Sequence, residues 1–266
     1  MGKTHEALLR AEKEYRDNFL PIETEPLSKK DLSSLKQASK KPNAEIYQLP
    51  SPRKTISQDN GLAYYEDLKT NLLTRYSDKS LKMILFNGIR HGGGCSTTAI
   101  NFAITLTKNS DLKVLLIDVN LRTPGLRDVF KIDAALGLSD LPDDNNDVTS
   151  LINKVGPGNL NVLTTGEDYS VPLSLFESSR FDRFLATIGD DFDYVILDAP
   201  PVPKFPECRV LCPKVDGVIL VVEAGITRRH VALMAKKKIE QAGGTLLGIV
   251  INRRKHYIPD WIYRRL

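Results

Sequence analysis

The stretch FNGIRHGGGCSTTAINFA, residues 86–103, joins an apolar β-prone run to a helical one through a cluster of glycines. A phosphate-binding loop sits at this place in an α/β chain. Glycines let the backbone approach an anion closely, and the N–H groups and positive dipole end of the following helix point at it. A P-loop ends in Gly-Lys-Ser/Thr, with the lysine on the β/γ oxygens and the hydroxyl on Mg²⁺. Here the ending is Gly94-Cys95-Ser96-Thr97. Gly92, Gly93, Gly94 and both hydroxyls are in place, and the cation is missing. Taken alone, the glycines also fit a tight strand-to-helix turn.

Outward from the loop, nearly continuous apolar runs recur at 81–86 (LKMILF), 113–118 (KVLLID), 160–163 (LNVL), 193–198 (DYVILD), 216–222 (DGVILVV) and 246–251 (LLGIVI). Such strands are buried on both faces, as in a parallel sheet. Helical stretches over 62–74, 96–108, 175–188 and 228–241 lie between them. The alternation predicts a doubly wound, mostly parallel α/β sheet of the P-loop NTPase kind, with ligands at the carboxyl ends of the strands. Two strands end in a carboxylate, Asp118 in VLLIDVNLRTPGL and Asp198 in YVILDAPPV. Such folds place an acid at Mg²⁺ or its water shell in this way. Asp118 and Asp198 are therefore the candidate catalytic acids and, with Ser96, the candidate metal ligands. The alternative for either aspartate is a cap for the next helix.

The organisation expected is an amphipathic leader helix over 1–20, a flexible linker over 21–59, the α/β domain over 60–252 and a basic, aromatic tail over 253–266. The leader places Ala7, Leu8, Ala11, Tyr15 and Phe19 three or four residues apart with charges between. The linker is rich in Pro, Ser and Lys. No run is long and apolar enough to span a membrane and no signal-peptide pattern opens the chain, so a cytoplasmic protein is expected. Cys95, Cys208 and Cys212 form no CxxC pair and are too few for a disulfide scaffold. The net charge is +4, and the tail alone, with five basic residues against Asp260, accounts for it. That excludes a globally basic nucleic-acid binder. The tail interleaves Tyr257, Ile258, Trp261, Ile262 and Tyr263 with its cations, which suits a partner groove or an anionic membrane surface.

The loop GGGCSTTAINFA, the motif VLLIDVNLRTP, the phrase GLSDL at 137–141, DYVILDAPPV, DGVILVVEAGITRR and LLGIVINRR together resemble the cytoplasmic domain of the bacterial tyrosine autokinases of capsule and exopolysaccharide clusters. These belong to the deviant P-loop class that includes the Min and Par proteins. The leader helix is similar to leaders found in that family. The resemblance implies ATP or ADP with Mg²⁺ as ligand, held by residues 92–97, with Asn252 near the adenine. It also implies a membrane chain-length regulator or co-polymerase as partner, homo-oligomers, and a location at the inner membrane through that partner.

The departures are concerted. The family lysine falls on Cys95, the second motif has Asn120 where a second acid is usual, and the tail offers only Tyr257 and Tyr263 as phosphate acceptors. In place of the family's Glu-x-x-Arg-x-x-Arg helix, Ala63, Glu66 and Lys69 stand in AYYEDLK. A cysteine is short and neutral, and if ionised at the helix start it repels phosphate. Phosphoryl transfer depends on cations at the equatorial oxygens. The leading expectation is a pseudokinase that regulates polysaccharide assembly. The enzyme alternative is an active tyrosine autokinase or slow ATPase in which Arg90, at the offset of the Min and Par signature lysine, supplies the cation. A positioning ATPase is a third reading of the same fold.

Overall fold

A computed structural model of the chain describes residues 45–50, 59–77, 81–108, 110–133, 136–141, 145–156, 158–167 and 172–254. The leader helix expected over 1–20 and the tail from 255 onward lie outside the described residues.

The apolar runs form the strands of one eight-stranded sheet. In chain order these are β1 (Glu45–Pro50), β2 (Met83–Gly88), β3 (Val114–Asp118), β4 (Asn153–Val155), β5 (Leu160–Leu163), β6 (Tyr194–Ala199), β7 (Gly217–Glu223) and β8 (Leu246–Arg254). The spatial order is β1-β8-β7-β2-β6-β3-β5-β4. Every pairing is parallel except that of β4 with β5. The helices are α1 (Asp59–Arg75), α2 (Cys95–Thr107), α3 (Leu126–Phe130), α4 (Pro172–Glu177), α5 (Ser179–Asp191), α6 (Glu207–Leu211) and α7 (Arg229–Gln241).

Because side chains alternate along a strand, each central strand feeds two cores. Ile84 and Phe86, Val114 and Leu116, Ile196, Ile219 and Val221 pack on one face with Tyr65, Leu68 and Leu72 of α1 and Phe102 and Leu106 of α2. Leu85, Leu115 and Ile117, Val195 and Leu197, Val218 and Leu220 pack on the other with Phe181, Phe184 and Ile188 of α5 and Ala235 and Ile239 of α7. Burial on both faces is what the unbroken apolar runs require, and it holds the ends of β2, β3, β6 and β7 side by side.

Three boundaries differ from the expectation. The linker placed over 21–59 is interrupted by β1, which pairs with β8 from Glu45↔Gly248 to Gln48↔Ile251. A strand edge offers unpaired N–H and C=O groups, and the β-prone Ile46-Tyr47 segment satisfies those of β8. The helix expected as one piece over 175–188 is two, α4 and α5. Ser178 breaks it, because its hydroxyl accepts from Phe181 N at 3.2 Å and donates to the Leu175 carbonyl at 2.6 Å. A serine gains more as the cap of a new helix than inside a long one. The tail expected from 253 begins inside β8, which continues to Arg254.

Candidate functional site

The loop leaves β2 at Gly88 and enters α2 at Cys95. Gly92 and Gly94 adopt φ of 73° and 90°, the left-handed region that side chains disfavour. At Gly94 a second constraint applies: Asn252, at the end of the neighbouring part of the sheet, is buried and its Nδ2 donates to the Gly93 carbonyl at 3.0 Å. A Cβ on Gly94 would lie 1.8 Å from that Nδ2. Asn252 therefore clamps and shapes the loop. The Gly94 carbonyl accepts from Thr98 N and Thr98 Oγ1 at 3.0 and 2.7 Å. The amides of Cys95, Ser96 and Thr97 have no acceptor within the helix and form the anion-facing end of α2.

The two strand-end acids are register partners across β3 and β6, and both are buried. They are not equivalent. Asp118 Oδ2 accepts from the amides of Gly125 and Leu126 at 3.0 and 3.1 Å, and Oδ1 accepts from Asn120 N at 3.1 Å. Its cap role is real, and it organises the start of α3. Asp198 lies beside the side chains of Ser96 and Cys95, which favour its charged form, while its Oδ1 is buried with no partner. Burial pushes both carboxyls up, Asp118 against the pull of its three amides and Asp198 further because Asp118 lies beside it.

Such an acid pair suits a divalent cation. The unpartnered Asp198 Oδ1 and the Ser96 hydroxyl in the first turn of α2 are oxygen donors of the kind Mg²⁺ prefers and would hold it or its bound water. Asp118 fits a supporting charge better than a direct ligand, because three backbone amides already engage its two oxygens. Among the described residues, no group of three His, Cys, Asp or Glu is arranged around a common centre.

Cys95 occupies the lysine position without supplying charge. Burial pushes its thiol well up, and the neighbouring Asp198 carboxylate adds to the effect. The ionised thiolate considered from sequence is thereby corrected: burial and a carboxylate beside the sulfur both favour the neutral S–H.

Arg90, the substitute cation considered from sequence, is half exposed and already engaged by an acid. Its Nη1 donates to Glu223 Oε2 at 2.7 Å, while Arg253 Nη1 donates to Glu223 Oε1 at 2.9 Å. Glu223 ends the apolar strand β7 in the same way that Asp118 ends β3, a signal present in DGVILVVE but not drawn from it. Glu207 is the other missed acid. It is buried at the first position of α6, where its Oε1 accepts from Arg122 Nε at 2.7 Å. Arg122 also lies 4.8 Å from the centre of the Phe205 ring. Nothing local in the sequence pairs residues 122 and 207.

A family model described as AAA domain matches residues 81–227. Tyrosine-protein kinase CpsD of Streptococcus agalactiae is 30% identical over 191 residues, a span of 71% of this chain and 82% of that protein. Among solved structures, the VpsO kinase domain is 28% identical with a TM-score of 0.66, over 73% of this chain and 95% of that one. The kinase domain of the Escherichia coli tyrosine kinase Etk is 22% identical with a TM-score of 0.72, over 81% and 94%. That last likeness is one of fold.

Proposed function

The chain belongs to the family of bacterial tyrosine-protein kinases built on the AAA domain, and from that premise we propose that it is a kinase-like regulatory subunit whose phosphoryl transfer has lapsed. The observation that carries the proposal is Cys95, a thiol held neutral by burial and by the neighbouring Asp198 carboxyl where the phosphate lysine belongs. Removing one preorganised group that stabilises transition-state charge costs roughly 10²–10³-fold in rate. The loop amides, the α2 dipole and Ser96 can still bind a nucleoside di- or triphosphate with Mg²⁺, which would supply charge neutralisation at the phosphates. Asp198 would hold the cation or its water, and Asp118 would fix the turn beside it.

In this proposal the protein is cytoplasmic and works by contact. It binds a membrane chain-length regulator of capsule or exopolysaccharide assembly, with the leader helix over 1–20 and the tail over 253–266 as docking segments, and forms homo-oligomers. Among the described residues no helix is long and apolar enough to cross a membrane; in this proposal the partner supplies the anchorage. The rival, an active autokinase, requires Arg90 to leave Glu223 and act as the cation. Purified protein given ATP and Mg²⁺ is expected to yield no phosphotyrosine by mass spectrometry, and Cys95→Lys is expected to tighten ADP binding. Robust phosphorylation of Tyr257 or Tyr263 in the unaltered chain would overturn the proposal in favour of its rival.

A further inference from the structure

Glu223 is nearly inaccessible, at 4% exposure, yet both of its oxygens are held by arginines about half exposed, Arg90 at 49% and Arg253 at 47%. The arrangement is built rather than incidental. Arg253 is one of two non-glycine residues among those described with positive φ, at 56°. Its own amide is held by Asn252 Oδ1 at 2.8 Å. The same Asn252 clamps Gly93 through its other amide atom, so the glycine loop and the Arg253 arm are positioned by one side chain. A Cβ on Gly93 would lie 3.5 Å from Arg90 Cγ and 4.0 Å from Glu223 Oε2. The carboxylate and the arginine stem thus lie against the loop that is built for an anion.

A buried carboxylate there has two effects. It repels any anion entering the loop, and it engages the one arginine of the loop itself. Burial pushes the Glu223 carboxyl up, but hydrogen bonds from Arg253 and Arg90 outweigh this and hold it below its ordinary value, so it stays charged at neutral pH.

We propose that Glu223 is a specificity-determining residue of the loop, an internal anion on Arg90 that only a ligand with two or more linked phosphates displaces. This rests on the nucleotide-binding reading above. A single phosphate seated on the α2 amides leaves Arg90 where it is and meets only repulsion. A diphosphate places one phosphoryl group on those amides and offers the second to Arg90, which exchanges one charge-assisted hydrogen bond for a bidentate contact. Selection among anions is then made by charge and length, without the lysine.

The test is calorimetric titration of the full chain with inorganic phosphate and with pyrophosphate, each with Mg²⁺, for the wild type, Glu223→Gln, Arg90→Ala and the double variant. Glu223→Gln is expected to tighten pyrophosphate binding by roughly tenfold, a typical coupling between linked sites, and phosphate binding by a clearly smaller factor, since a single phosphate gains only the relief of repulsion. The double variant should keep no more than that smaller gain. An equal gain for both anions, no gain, or a pyrophosphate gain undiminished by Arg90→Ala would each overturn the proposal. If near-ultraviolet dichroism shows Glu223→Gln to be unfolded, Glu223→Asp serves, since a side chain one methylene shorter releases Arg90. It should give a gain of the same sign, and its absence would be equally decisive. Wild-type binding of ADP with no change in Glu223→Gln would remove this inference and leave the nucleotide reading standing. Failure of both proteins to bind either pyrophosphate or ADP would remove both.

Discussion

Replacing Gly94 by alanine separates backbone strain from side-chain collision at the loop. Gly94 has φ of 90°, and a left-handed conformation costs a residue bearing a Cβ about 1–2 kcal/mol. The new Cβ would also lie 1.8 Å from Asn252 Nδ2 and 3.1 Å from its Cγ, so the buried amide must move and release the Gly93 carbonyl it holds at 3.0 Å. Leaving a buried polar group without its partner costs about 1–3 kcal/mol. The sum is about 2–5 kcal/mol of unfolding free energy from these two sources, read as the shift in a urea denaturation curve at constant slope. Asn252→Ala removes the amide and the collision together. In that background Gly94→Ala should cost only the strain, about 1–2 kcal/mol. The difference between the two backgrounds is the coupling of a double-mutant cycle. Equal costs in the two backgrounds would refute the idea that Asn252 shapes the loop through direct contact.

Two stability predictions follow from the cores and the acid pair. Phe102→Ala removes a fully buried ring that packs 5.5 Å from Phe86 and should cost about 3–5 kcal/mol in the same denaturation assay; a loss below about 1 kcal/mol would mean that this face of the sheet is loosely packed. Burial, with Asp118 alongside, raises Asp198 from 3.8 to about 7, and burial raises Asp118 to about 6. The folded state then holds protons that the unfolded chain has released, so metal-free stability should fall as pH rises through that window. Asp198→Asn should flatten the profile, and a wild-type profile already flat between these limits would refute the paired-acid reading.

The glycine loop and the acids at 118 and 198 were legible because each is a local pattern: an apolar run, then a residue type that ends it. The same pattern at Glu223 went unread because a strand-end glutamate gains meaning only once Arg90 from the glycine loop and Arg253 from β8 arrive beside it. Glu207 carried no local signal, since it reaches Arg122 only after α6 folds back over the loop that follows β3. Ser178 was readable as a cap but lay inside a run whose apolar spacing argued for one continuous helix. The edge strand β1 was hidden by its Pro- and Ser-rich surroundings, because an edge strand is stabilised by the hydrogen bonds of its neighbour rather than by its own composition.

By itself the sequence determined the α/β alternation, the parallel sheet, the place of the loop and the loss of its lysine, because strand burial on two faces and the glycine requirement at a phosphate loop are written in consecutive residues. Only the tertiary structure decided what the charged groups do. It made Asp118 a cap and left Asp198 with a buried, unpartnered oxygen, set Asn252 as the clamp on Gly93, kept Cys95 protonated and gave Arg90 to Glu223. The physical reason is that the ionisation and orientation of a side chain depend on its distance to other charges and on its removal from water. Residues separated by more than a hundred positions set both quantities here, as Glu223 does for Arg90.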